Sequence, residues 1–267
     1  MSAVRHKAWV VLTACALTAC SIADPHRSRW LEAHGHATFR SIAATPNGAL
    51  GLGAKDVIFR YPGGWNNPWE EFMTAECKQV AGNRRTTWLL TGDGVVIRKT
   101  DPRGPGETLT NGGGITRIAV SSSEELHVLA QSHPAKLVDG RLVDTPCSGK
   151  DATAIAVGKT GTYIVTTSGT LARESAAGAC QELPAPFAVK DIAANDTPGG
   201  RYELAAVDNR QIVWLWRDEQ WEELPAPLVY RSGRRPRPVA VDQVAISALD
   251  IWARSNDGWA FLFSDPR

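Results

Sequence analysis

A β-branched residue followed by alanine recurs six times along the chain: Ile42-Ala43, Val80-Ala81, Ile118-Ala119, Ile155-Ala156, Ile192-Ala193 and Val244-Ala245. Successive starts lie 38, 38, 37, 37 and 52 residues apart. The long last step contains an Arg/Pro-rich stretch over residues 230–238. A period near 40 residues is the mark of a repeat architecture, in which each unit is one supersecondary block stacked on its neighbours.

The units read as β structure. Short runs of Val, Ile, Leu, Thr and Trp lie between Gly, Asp, Asn and Pro, and helix-period patterns are scarce after residue 20. Gly92-Asp93-Gly94, Asp139-Gly140 and Asn256-Asp257-Gly258 separate apolar runs. Glycine accepts the positive φ that such tight hairpin turns need. Most units show three strands and several show a fourth, the first of these expected over residues 65–72. The sixth unit stops one strand short, while Trp30-Leu31-Glu32 near the other end resembles the outer-strand segment Trp221-Glu222-Glu223-Leu224.

The expectation is therefore an all-β fold: a six-bladed β-propeller of four-stranded antiparallel blades, closed by an N-terminal strand that completes the last blade. Five or seven blades are the alternative count, and an open β-solenoid is the alternative architecture. Residues 29–267 form the propeller domain. Ring closure leaves no free sheet edge between the first and last units. The repeated alanine fits innermost strands, which crowd together at the axis. Bulky Trp88, Trp214, Trp216, Trp252 and Trp259 belong farther out.

The N-terminus is a different object. Arg5, His6 and Lys7 precede an apolar run over residues 8–16, well short of the ~20 residues of a membrane-spanning helix. This pattern is read as an export signal over residues 1–19. It ends in Leu17-Thr18-Ala19-Cys20, which resembles the lipobox of bacterial lipoproteins. The resemblance implies cleavage before Cys20, acylation of Cys20, and a tether over residues 20–28. The acyl chains would then supply the membrane affinity, at ~0.8 kcal/mol per buried methylene. Ser21 in place of aspartate resembles the outer-membrane-sorted case. The expected address is the bacterial cell envelope, periplasmic or surface-facing.

An exported chain meets an oxidising compartment. Cys77, Cys147 and Cys180 lie in the body, which leaves one cysteine over if a disulfide forms. Cys147 and Cys180 fall 29 and 25 residues after Ile118 and Ile155, at related places in their units, and are the expected pair.

Two units carry a further resemblance. Thr87-Trp88-Leu89-Leu90-Thr91-Gly92-Asp93-Gly94-Val95-Val96 and Asp250-Ile251-Trp252-Ala253-Arg254-Ser255-Asn256-Asp257-Gly258-Trp259 are similar to tectonin-type propeller repeats. Some tectonin propellers bind glycans or lipopolysaccharide and others are scaffolds. The resemblance implies a binding module and transfers no ligand contact to this chain.

No catalytic constellation emerges. Gly158-Lys159-Thr160 lacks the glycine five positions earlier that a phosphate-binding loop requires, and Thr153 stands there. His34 and His36 share a strand face, but no converging ligand set completes a metal site. Glu70-Glu71 and Glu222-Glu223 alternate faces and do not pair as an acid–base dyad. No cofactor is expected. With 29 Lys and Arg against 28 Asp and Glu, the net charge of +1 implies no nucleic-acid partner. Arg231, Arg234, Arg235 and Arg237 form the one dense basic cluster, a candidate loop for an anionic ligand. Residues 101–114 are a second long insertion, and long loops on a rigid scaffold often carry function. The expected function is a membrane-anchored scaffold that binds a protein partner in the envelope. A glycan- or lipopolysaccharide-binding lectin-like protein is the alternative, and a sugar- or lactone-processing enzyme the third.

Overall fold

The computed structural model describes residues 29–33, 38–63, 67–83, 85–110, 114–175, 177–229 and 235–264. Six four-stranded sheets form a ring, joined by one small two-stranded ribbon, Leu228–Val229 with Arg237–Pro238, between the fifth and sixth blades. Every strand pair in every blade is antiparallel, running from the axis outwards in chain order for the first five blades.

The innermost strands are Phe39–Thr45, Gln79–Gly82, Ile115–Val120, Ala152–Gly158, Val189–Ala194 and Val241–Ile246. Each carries the repeated pair, and all six alanines line the central channel. The alanine has a second role inside its own blade. Its partner on the second strand is Leu50, Trp88, His127, Tyr163, Ala205 or Trp252 in blades one to six. In all but the fifth blade a small residue faces a large one, which lets the layers interdigitate without voids.

The last blade is built from both ends of the chain, in the order Arg29–Glu32, Ala260–Ser264, Ile251–Ser255 and Val241–Ile246. Trp30 pairs with Phe263 and Glu32 with Phe261. The buried Trp30 donates its indole N–H to Pro225 C=O at 2.6 Å, which ties the closing strand to the fifth blade as well. On the opposite side of this seam Tyr61, Trp69 and Trp252 meet, with ring centroids 4.8 to 5.7 Å apart.

Three outer strands differ from expectation. The outer strand of the first blade is Glu70–Thr74, with Trp69 buried just before it, rather than a strand centred on residues 65–72; Trp65 lies outside the described residues. The insertion at 101–114 holds the outer strand of the second blade, reduced to Glu107–Thr108. The outer strand of the fourth blade is Cys180–Leu183. Lys159 and Thr160 form the turn of a hairpin in which Gly158 pairs with Gly161, so a strand and not a helix follows.

Candidate functional site

The most organised polar chemistry lies on the axis, one residue before each β-branched–alanine pair. These residues are Ser41, Gln79, Arg117, Ala154, Asp191 and Gln243. In five blades a β-bulge sits immediately before this position, between Phe39 and Ser41, Ile115 and Arg117, Ala152 and Ala154, Val189 and Asp191, and Val241 and Gln243. A bulge bends its strand and re-aims the side chain that follows.

Three of these side chains cross to the next blade. Gln79 Oε1 accepts from Ile118 N–H and its Nε2 donates to Ile118 C=O, both at 2.9 Å. Gln243 does the same with Ile42, at 3.0 and 2.9 Å. Asp191 Oδ2 accepts from Val244 N–H at 3.0 Å. Each amide acts as one more peptide group, pairing with the free edge of an innermost strand whose other edge is already in its own sheet. Unpaired strand edges need such partners when buried.

The channel they line has a volume of about 120 Å³, and its wall is mostly Ala, Val and Ile. Its charged side chains among the described residues are Arg117 and Asp191. Burial raises the Asp191 carboxyl above the ordinary carboxylate range, while the charge of Arg117 opposes that shift. Sugar or lactone chemistry calls for several titratable groups at the channel, and among the described residues its wall carries this one pair.

At one end the channel opens onto the turns that follow the innermost strands. Asp196 in the fifth blade accepts from Ser122 N–H in the third at 2.6 Å. Glu124 accepts from Asn83 Nδ2 at 3.1 Å and from Thr86 Oγ1 at 3.0 Å. Arg201 N–H donates to Ala248 C=O at 2.7 Å. These bonds run between blades, so the turns on this face hold one another in place.

The other residues singled out from sequence are dispersed. Cys20, Arg231, Arg234, His34 and His36 lie outside the described residues. Arg235 and Arg237 are exposed and line a cleft of about 200 Å³ beside the fifth and sixth blades, together with Asp257 and Trp259. Cys147 is disulfide-bonded to Cys180, with Cα atoms 5.0 Å apart, and ties the exit of the third blade to the outer strand of the fourth. Cys77 is a buried free thiol, and burial pushes its pKa up to about 11. His127 is buried with Nδ1 3.0 Å from Thr162 Oγ1. Among the described residues no cluster of three or more His, Cys, Asp or Glu side chains is placed to hold a metal ion.

One surface feature escaped the sequence reading. Val138, Leu142 and Val143 are exposed on the outer hairpin of the third blade; Val138 and Val143 share one sheet face with Lys136 and Arg141, and Leu142 lies on the other face opposite Leu137. Every residue of the outer strand Arg141–Asp144 is exposed.

No protein-family model and no curated protein matches the chain. Solved structures do. YCF48 bound to a D1 peptide has a TM-score of 0.55 at 14% identity, over 87% of this chain and 80% of that one. Selenomethionine-substituted virginiamycin B lyase from Staphylococcus aureus also has a TM-score of 0.55, at 13% identity, over 89% of this chain and 99% of that one. PorZ, an essential bacterial surface component of the type-IX secretion system of Porphyromonas gingivalis, has a TM-score of 0.51 at 13% identity. The match covers 87% of this chain but 37% of PorZ. The fold is that of a β-propeller. At these identities the likeness establishes the fold alone, since propellers of one architecture host unrelated functions.

Proposed function

We propose that this chain is a lipid-anchored propeller of the bacterial envelope that docks a protein partner on the outer edge of its third blade. The observation that carries this reading is the outer strand Arg141–Asp144, exposed along its whole length and baring Leu142 on one face and Val143 on the other. An outer strand normally protects its free edge with charge, and one that bares apolar side chains is a template for pairing with another chain. Here a free edge and apolar side chains coincide on Arg141–Asp144, which suits a partner segment that adds as a further strand. The Leu17-Thr18-Ala19-Cys20 motif supports the anchor through acylated Cys20. The Cys147–Cys180 bridge is in keeping with an oxidising compartment. A structural neighbour bound to a peptide, YCF48 with D1, supports a peptide-docking role for this architecture.

The test is a photo-crosslinker placed at Arg141 or Asp144, both exposed on the outer strand, in cells producing the full chain. A discrete crosslinked partner is expected with the wild-type edge and none with Leu142→Lys/Val143→Lys. The same adduct at undiminished yield in the double variant would sink the reading. Mass spectrometry for diacylglycerol on Cys20 tests the anchor separately.

A glycan- or lipopolysaccharide-binding role is the second reading. It is favoured by the cleft in which Arg235 and Arg237 stand beside Trp259, since an aromatic face stacks on sugar rings and guanidinium groups pair with anionic substituents. Arg235→Ser/Arg237→Ser should abolish any signal on a glycan and lipopolysaccharide array; silence from the folded wild type would remove this reading.

A further inference from the structure

The ring of axial side chains is open at three seams, after the first, third and fourth blades, where Ser41, Arg117 and Ala154 stand, and the third blade is the one that places a charged side chain there. Gln79 staples the second blade to Ile118, Asp191 the fifth to Val244, and Gln243 the sixth to Ile42. The corresponding side chain of the third blade is Arg117, and the main chain it would meet is that of Ile155. Ile155 pairs with Ile164 in the same register that Ile118 has with Val128, Ile42 with Gly51 and Val244 with Ala253. In those three blades the N–H at this position points to the axis and is taken by a neighbour's oxygen. A guanidinium has five donors and no acceptor. Arg117 therefore cannot take the Ile155 N–H, and the carboxylate that shares the channel with it is Asp191.

We propose that the channel binds a small oxyanion, held between the Arg117 guanidinium and the axis-facing N–H of Ile155. Its oxygens would supply the acceptor that Gln79, Asp191 and Gln243 supply elsewhere. The channel's 120 Å³ admits an ion of sulfate or acetate size. The path to it passes the polar mouth formed by Ser121, Ser122, Asn195 and Ser247, which continues the channel past Val120, Ala194 and Ile246. Planar guanidinium paired with a main-chain N–H is a fitting donor set for a carboxylate or a tetrahedral oxyanion. The site stands whether or not a partner docks on the third blade.

A proton accompanies the anion. Asp191 faces the same channel, with Arg117 and Asp242 as its charged neighbours. A bound anion cancels the field of Arg117 at Asp191 and adds negative charge, so it favours the protonated carboxyl. Linkage then makes binding tighter as pH falls, until Asp191 is protonated in the free protein as well.

The experiment uses the full chain, with sodium sulfate and sodium acetate as probes against sodium chloride at equal ionic strength. Thermal unfolding and isothermal titration read binding, because a ligand specific to the native state raises Tm in a saturable way. Arg117→Gln is the decisive variant. It places at this position the amide that already staples two other blades, so it should fold with at least wild-type Tm while binding sulfate and acetate at least tenfold more weakly. Asp191→Asn keeps an acceptor for Val244 and should bind sulfate, which does not titrate in this range, with no dependence on pH between 4 and 7. A wild type with no saturable response to either probe overturns the proposal, as does an equal response in Arg117→Gln. A response to acetate alone assigns the site to carboxylates, and a response to sulfate alone to tetrahedral oxyanions.

Discussion

Gln243 and Ile42 are 201 residues apart in sequence, and the amide of one pairs with both main-chain polar groups of the other. This contact joins the last innermost strand to the first, beside the outer-strand closure. Arg254 reinforces the same seam, bonding Asp242 with two nitrogens and donating to the main-chain oxygens of Phe39 and Arg40. Gln243→Ala would leave an N–H and a C=O at the channel wall with only water as a partner. The expected loss is ~1–3 kcal/mol, the cost of leaving buried polar groups without their bonds. Gln79→Ala removes the same chemistry at a seam with no role in closure. Urea denaturation should give similar losses for both variants with unchanged m-values, whereas unfolding should accelerate more for Gln243→Ala. Equal unfolding rates would show that the ring has no preferred opening seam.

Trp30 is the anchor of the other closure. Its ring lies 5.0 Å from that of Phe263, and it is buried in the core shared by the fifth and sixth blades. Trp30→Ala should cost ~3–5 kcal/mol, as large-to-small substitutions of buried aromatics do. Deleting residues 29–33 goes further, because it bares the edge of Ala260–Ser264 along Phe261 and Phe263. An exposed apolar edge pairs with other chains. Size-exclusion chromatography should show concentration-dependent association of the deletion variant, and a monomer at all concentrations would count against ring closure as the role of this strand.

The features that were readable from sequence are those imposed equally on every blade. The Ile-Ala and Val-Ala pairs recur because six innermost strands face one axis and alanine alone leaves room for Trp88, Tyr163 and Trp252 opposite. The outer strands Glu107–Thr108 and Cys180–Leu183 were passed over because neither has a buried face, and period-2 alternation comes from one-sided burial. The axial position was invisible for a different reason. Ser41, Gln79, Arg117, Ala154, Asp191 and Gln243 have no common chemistry, so periodicity gives them no signal, although each stands directly before a repeated pair. Val138, Leu142 and Val143 read as ordinary strand residues, since sequence alternation does not reveal that no further layer covers them.

The Cys147–Cys180 bridge spans 33 residues and stands against the core of the third and fourth blades, where Cys147 packs near Leu129 and Ile164. Cys147→Ser/Cys180→Ser should lose ~2–5 kcal/mol, the usual range for a native disulfide. Dithiothreitol should lower the wild-type Tm to that of the double variant and leave the double variant unmoved. Cys77 gives an internal control. Its thiol is buried and held at a pKa of about 11, so it should resist iodoacetamide until the protein unfolds.

His127 occupies the slot that Trp88, Tyr163 and Trp252 fill in other blades, opposite Ala119. It is a core aromatic that happens to titrate. Burial first, and the charge of Lys136 second, lower its pKa from 6.5 to about 4. Between those two values the unfolded chain binds a proton at this residue and the native chain does not. Stability therefore falls as pH drops from 6.5 to 4, by up to ~3 kcal/mol, at 1.36 kcal/mol per unit of pKa difference. Asp191 works in the opposite sense: its raised pKa means the native state holds its proton longer than the unfolded chain, so its contribution is lost as pH rises through the native value. His127→Gln keeps a polar partner for Thr162 and does not titrate. The variant should be less stable than wild type at pH 7 but should lose little further stability on acidification to pH 4.5. Denaturation midpoints measured across this range decide the matter, and parallel curves for the two proteins would place the acid sensitivity elsewhere.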